Sequence, residues 1–238
     1  MKTDLRINAF AAHSLGIARR KADELIKAGR IMINGRQALL NDRVTSKDDV
    51  FFEEKKISLP EHIYIAMNKP AGCLTAVSDS RDKTVMELLP KKYKGIFPVG
   101  RLDRDSKGLL LFTNNGEWAD RILHPRYAVP RNYIVKTDKP VDLNRIKFGV
   151  RLRDGISRFD TVEIISRDAM TVEISLHKGK KRQIRRTFEK VGYQVIELVR
   201  IGFGSIQLGD MKEGSVRELT PMEVDSVWRR KPSVQTED

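Results

Sequence analysis

The sequence predicts an α+β chain of two folded units, a small one first and a larger, strand-rich one behind it. Three observations carry that expectation. Residues 1–58 place two helical stretches ahead of short apolar runs. Ser58-Leu59-Pro60-Glu61 breaks the pattern with a proline between polar flanks, which reads as a linker over 59–62. From Ile63 to residue 230, apolar runs of strand length outnumber helical ones. The polar stretch 231–238 is expected to be a frayed tail.

In the small unit, Leu5, Ile7, Ala9, Phe10, Ala12 and Leu15 fit the apolar stripe of a short helix stopped by Gly16. A second helix is predicted from Ala18 to Ala28, with Ala22, Leu25 and Ile26 on one face and Gly29 as its terminator. Arg19, Arg20 and Lys21 fall in its first turn. Cations there oppose the helix dipole, so they cost helix stability but suit a helix end that approaches phosphate. Ile31-Met32-Ile33 is a short strand, Asn34-Gly35 a tight turn, and Val50-Phe51-Phe52 another strand.

The large unit opens with the strand Ile63–Met67 and the turn Asn68-Lys69-Pro70-Ala71-Gly72. Val85–Leu89 suggests a short helix, and Ile96–Val99 a strand that runs into Gly100-Arg101-Leu102-Asp103-Arg104-Asp105-Ser106-Lys107-Gly108. The apolar run Leu109–Phe112 that follows reads as a buried strand, which puts Asp103 on the rim of a sheet. A carboxylate there is partly desolvated yet reachable, and Arg101 and Arg104 beside it favour its ionised form. Further on, Trp118–Leu123 reads as a helix, Arg131–Lys136 as an alternating strand and Leu143–Phe148 as a helix. Phe159–Ile165 and Met170–Leu176 are two β-rich runs. His177–Arg182 is a basic loop, and Gln183 onward is helical with Ile184, Phe188 and Val191 at helical spacing. Glu197–Ile201 and Ser205–Gly209 are strands, and Pro221–Trp228 is amphipathic.

Charge narrows the choice of partner. The 45 Lys and Arg against 32 Asp and Glu give +13 and a pI near 9.9, which points to an acidic polymer, nucleic acid ahead of anionic membrane. The single cysteine, Cys73, allows no disulfide framework within one chain and fits a reducing compartment. The four histidines are scattered without metal-ligand spacing. No signal-peptide core and no 18-residue apolar stretch is found, so a soluble cytoplasmic protein is expected. Walker loops, dinucleotide fingerprints and internal repeats are not seen.

An Asp in such a turn can be a simple turn former. The wider pattern says more. Gly-Arg-Leu-Asp, then Asp-Ser and Gly-Leu two residues on, resembles the active-site motif of pseudouridine synthases, in the form carried by S4-domain enzymes that modify ribosomal RNA. Asn68-Lys69-Pro70-Ala71-Gly72 after a strand and Gln183-Ile184-Arg185-Arg186 after a Gly-basic loop are similar to two further motifs of that family. The run Ala18-Arg19-Arg20-Lys21 through Gly29-Arg30 to Ile33-Asn34-Gly35 resembles an S4 domain, with Ala18 where Ser is usual. The likeness extends from about residue 5 to 228. It departs at Lys178-Gly179-Lys180-Lys181, where family members often carry Glu-Gly-Arg-Asn.

The resemblance implies an S4 domain over 1–58 and, over 63–230, a catalytic domain built on a mixed, mainly antiparallel sheet with flanking helices. It implies isomerisation of uridine to pseudouridine in ribosomal RNA, more in the manner of large-subunit than small-subunit members, with no cofactor or metal. It implies Asp103 as the catalytic carboxylate, Arg185 as the arginine that pairs with it, and Tyr133 as the ring that stacks on the target base, with Arg131 in the basic place two residues earlier. Arg19, Arg20, Lys21, Arg30, Lys69, Arg101, Lys180, Lys181 and Arg182 are the residues expected to meet RNA. A monomer acting on ribosomal RNA or an assembly intermediate is expected. Two rival readings use the same residues: a non-catalytic S4-type RNA-binding or ribosome-assembly factor, and a metal-dependent RNA hydrolase built on Asp103 and Asp105.

Overall fold

The computed structural model describes residues 5–45 and 47–228. The tail expected at 231–238 lies outside them. The chain divides into two compact units, residues 1–63 with 90–96, and residues 64–89 with 97–238. Nothing in the composition of 90–96 announces its place in the first unit.

In the first unit, β1 (Leu5–Arg6) pairs antiparallel with β4 (Arg43–Val44). The helix α1 therefore begins only at Ile7 and runs to Leu15, shorter than the stripe suggested. Helix α2 covers Arg19–Lys27, with Ala18 as an N-cap that offers no side-chain bond to the helix. Strands β2 (Ile31–Ile33), β3 (Arg36–Gln37), β5 (Val50–Phe52) and β6 (Lys55–Lys56) form a four-stranded sheet in the order β3-β2-β5-β6. The Asn34-Gly35 turn between β2 and β3 has positive φ at both residues, 49° and 81°, as a two-residue hairpin requires. One apolar core, including Ile7, Phe10, Ile26, Ile31 and Val50, serves both helices and this sheet.

The second unit is organised around a nine-stranded sheet. Its main path is β13 (Thr161–Ile164), β14 (Thr171–Leu176), β10 (Arg131–Thr137), β15 (Val195–Phe203), β9 (Lys107–Thr113), β7 (Tyr64–Lys69) and β17 (Val216–Glu218). Strand β8 (Phe97–Val99) adds to β9, and β16 (Ile206–Gln207) to β15. Every pairing is antiparallel except β15 with β9, which runs parallel through Val199↔Lys107 and Arg200↔Gly108. A separate hairpin joins β11 (Val150–Leu152) to β12 (Gly155–Ser157). Helices α3 (Gly116–Leu123), α4 (Gln183–Lys190) and α5 (Pro221–Ser226) complete the unit. Asn115 caps α3, accepting from the backbone N–H groups of Glu117 and Trp118.

The helix expected over Leu143–Phe148 shrinks to one 3-10 turn at Leu143–Arg145. Of the residues that follow, Ile146 is buried but Phe148 is 76% exposed, so the stretch offers one apolar contact and not a stripe. Among the described residues no helix is long and apolar enough to cross a membrane.

Candidate active site

Strand β9 is buried along almost its whole length, so the turn before it is where the chain emerges from the core. That turn, Arg101–Ser106, carries Asp103. Ser106 N–H closes it by donating to the Asp103 carbonyl at 3.0 Å. Gly72 N–H donates to the Arg104 carbonyl at 2.7 Å, and the Thr75 hydroxyl donates to the Leu102 carbonyl at 2.8 Å. The segment 69–75 thus grips the Asp103 turn from outside.

Lys69 completes the grip and corrects an expectation. It is not on the RNA-facing surface. The side chain is 0% exposed, and Nζ donates to the carbonyls of Pro70 and Ser106, both at 2.9 Å, with those of Asp103 and Arg104 at 3.3 and 3.4 Å. The alternation of β7 puts Lys69 in step with buried Ile65 and Met67, a period-two signal already present in the sequence. Burial pushes the Lys69 pKa down, and the nearby Cys73, Asp105 and Asp103 only partly offset this.

The turn faces a cleft of about 820 Å³. Asp103 and Tyr133 both line it. Tyr133 stands on β10, 8% exposed, with Ile174 and Arg200 as its register partners. Leu198 lines the same space from β15, and the basic loop His177–Arg182 together with Arg101 borders it. His177 Nδ1 meets Asp160 at 2.7 Å, which ties down the start of that loop. At its end Arg182 takes a left-handed conformation, φ 49°, as N-cap of α4.

The arginine expected to pair with Asp103 pairs elsewhere. Arg185 Nε lies 3.2 Å from Asp105 Oδ2, its Nη2 donates to the Asp105 carbonyl at 3.1 Å, and its Nη1 donates to the Val195 carbonyl at 2.9 Å. Arg182 meets the same carboxylate through Nη1 and Nη2 at 3.1 and 3.3 Å. Partial burial pushes the Asp105 carboxyl up, but Arg182 and Arg185 outweigh it and hold it below its usual range. Burial in turn lowers Arg185, while Asp105 raises Arg182. Asp105 is therefore an anchor for two arginines beside Asp103. Sequence reasoning weighed it only as a turn former or metal ligand. Its partners lie 77 and 80 residues away, so no local spacing announces them. Arg104, expected to influence Asp103, meets Asp82 at 2.9 Å instead.

The remaining basic residues divide by unit. Arg101, Lys180, Lys181 and Arg182 are exposed along the cleft, with Lys180 Nζ donating to the Asp154 carbonyl. Arg19, Arg20, Lys21 and Arg30 are exposed in the first unit. There Lys21 meets Glu24 at 2.8 Å, and Arg30 is ion-paired with Glu53 and lies over the Phe52 ring. Among the described residues, no group of three or more His, Cys, Asp and Glu side chains comes together that could hold a metal ion.

A sheet that delivers an Asp turn, a Tyr and a basic loop to one cleft defines the class of protein. The family model for RNA pseudouridylate synthase matches residues 63–190, and that for the S4 domain matches 5–50. The chain belongs to the RNA pseudouridylate synthase family and carries an S4 domain ahead of the catalytic one. It is 35% identical over 228 residues to the ribosomal large subunit pseudouridine synthase B of Bacillus subtilis, covering 92% of this chain and 93% of that protein. It is 37% identical over 235 residues to an uncharacterized RNA pseudouridine synthase of Aquifex aeolicus, covering 95% and 94%. A crystal structure of a pseudouridylate synthase superposes with a TM-score of 0.66 at 28% identity, over 94% of this chain and 99% of that one.

Proposed function

We propose that this enzyme isomerises a specific uridine of large-subunit ribosomal RNA to pseudouridine in the cytoplasm, as a monomer, with Asp103 as the catalytic carboxylate. The observation that carries the reading is the meeting of Asp103 and Tyr133 in one cleft bordered by basic residues. The choice of the large subunit rests on full-length similarity to the Bacillus subtilis enzyme named for it.

The reaction breaks the bond from uracil N1 to C1′, turns the base and joins C5 to C1′. The C5 proton leaves and N1 regains one, so atoms balance without a redox partner or group donor. Asp103 acts at the sugar or base as the first bond breaks. Its turn is held by backbone bonds and Lys69, so the carboxylate is positioned before substrate arrives. Access to a uridine in folded RNA means taking the base out of its stack, at a cost of a few kcal/mol. Tyr133 stacks on the displaced base, which returns about 1–3 kcal/mol, and helps remove the C5 proton. Lys180, Lys181 and Arg101 meet the phosphates around it. Arg182 and Arg185, held by Asp105, keep the catalytic side of the cleft positive.

Release of tritium from 5-tritiated uridine in ribosomal RNA tests this. RNA of both subunits, free and in particles, is taken from a strain lacking the protein, with EDTA present. Release from a large-subunit fragment that disappears in Asp103→Asn, while RNA binding persists, is the expected result. Release from small-subunit RNA instead would move the target. Tight binding with no release from any RNA would defeat the catalytic reading.

A further inference from the structure

Two arginines inside the cleft have no anion to balance them among the described residues. Arg131 on β10 and Arg200 on β15 both line it, and their guanidinium carbons lie 4.8 and 5.2 Å from the centre of the Phe203 ring. Arg200 is 2% exposed. Its Nε donates to the Leu109 carbonyl at 2.7 Å, but its Nη2 is buried without any hydrogen-bond partner. Arg131 donates through Nη1 to the His177 carbonyl at 2.8 Å. Among the described residues neither arginine meets a carboxylate.

This arrangement is costly as it stands. A buried charge is tolerated when paired, and here two like charges share an apolar ring with only neutral carbonyls for company. Burial lowers the Arg131 pKa, Tyr133 partly offsets this, and the neighbouring Arg200 lowers it again. Contrast Arg182 and Arg185 across the same cleft, which converge on Asp105. A site that assembles one paired set of arginines and one unpaired set has left the second for something that arrives with its own negative charge. A neutral uracil carbonyl would accept a hydrogen bond from Nη2 but would not neutralise the charge. A phosphodiester does both.

We infer that Arg131 and Arg200 form a subsite for one backbone phosphate of the RNA, that of the flipped nucleotide or its immediate neighbour. The inference rests on the uridine-isomerising reading for the identity of the anion. Register gives the position: Arg200 is the cross-strand partner of Tyr133, and Arg131 lies two residues before it on the same strand face. A base stacked on Tyr133 would carry its own phosphate to these guanidiniums. Flipping the base then brings a desolvated anion to two desolvated cations, which offsets part of the unstacking cost. The pair acts in binding and orientation and takes no part in bond breaking.

Two measurements test this. In the first, crystals of the wild-type protein are soaked in sodium tungstate, a phosphate mimic visible by anomalous scattering. A peak within hydrogen-bond reach of Arg200 Nη2 and the Arg131 guanidinium is expected, and its absence overturns the subsite. In the second, binding of a large-subunit ribosomal RNA transcript is followed against KCl concentration in the Asp103→Asn background. Arg131→Gln, Arg200→Gln, the double variant and Arg200→Lys are compared, with melting temperatures to confirm folding. Each Gln variant should lower the slope of log K on log salt by about 0.7, the value for one single-strand phosphate. The double variant should lose no more than either single, and Arg200→Lys should keep the slope. Weakened binding with an unchanged slope would assign the pair to the base and overturn the proposal. So would losses that add in the double variant, or a tungstate peak with no change in RNA binding. Tritium release by the unmodified protein reports separately on the isomerase reading, so either can fail alone.

Discussion

The Lys69 ammonium lies 2.9 Å from the Ser106 carbonyl and 3.3 Å from that of Asp103, wholly out of solvent. A positive charge is thus sealed beneath the Asp103 turn and held by main-chain oxygens. Replacing Lys69 by Met should leave those oxygens without a donor and cost about 3 kcal/mol of stability. Urea unfolding reads that loss. Turnover should fall further than RNA affinity, because what loosens is the placement of Asp103. A Met variant with wild-type stability and turnover would show that the turn holds without it.

The carboxylate of Asp105 should shape the acid limb of stability. Its folded pKa lies below the reference value of 3.8. Its contribution is therefore fully present above about pH 3.8 and lost as pH falls through the lower folded value. Asp105→Asn should be less stable than wild type near neutrality, and the difference should shrink on acidification below that point. Urea midpoints measured from pH 6 downward check this. A difference independent of pH would mean that the ion pairs with Arg182 and Arg185 contribute nothing in solution.

Gly108 stands where β9 meets β15, with φ at +101°. A Cβ there would lie 2.3 Å from the Arg200 carbonyl oxygen and 2.7 Å from its nitrogen. Both are backbone atoms, so neither can swing aside. Gly108→Ala should destabilise the enzyme by about 2–4 kcal/mol through strain and overpacking. It should also depress turnover, because this contact joins the strand after Asp103 to the strand bearing Arg200. Thermal unfolding and tritium release measure the two effects.

In the first unit, Arg19, Arg20 and Lys21 stand exposed at the start of α2. Changing all three to Gln should weaken binding of ribosomal RNA and reduce its salt dependence by about 0.7–0.9 for each phosphate no longer neutralised. The same changes remove cations from a helix N-terminus, so the unit itself should be no less stable. Fluorescence anisotropy with labelled RNA gives both slope and affinity. An unchanged slope would remove α2 from the RNA-binding surface.

Much of this was legible locally. Apolar runs marked β7, β9, β10 and β15, glycines marked helix ends, and the strand after Asp103 located its turn on the sheet rim. What escaped were relations between distant segments. Lys69 looked like an exposed basic residue because a lysine is rarely buried, although the alternation of its strand pointed inward. The pairing of Arg185 with Asp105 depends on where α4 docks, which no window of sequence contains. Leu143–Phe148 failed as a helix because tertiary packing, which supplies most helix stability, engages only Ile146 and leaves Phe148 in solvent.

The parallel contact of β9 with β15, and the pairing of β7 with β17, the first and last strands of the second unit, also govern when this enzyme can exist. A chain leaving the ribosome can bury an apolar core from residues 7–59, with residues 90–96 joining that unit afterwards. The catalytic sheet cannot close until residues 195–203 and then 216–218 have emerged. Pairings so far apart in sequence form slowly, since the loops between them must be ordered first. The isomerase domain should therefore be among the last parts of the molecule to become protease-resistant during synthesis, appearing in one late step and not strand by strand.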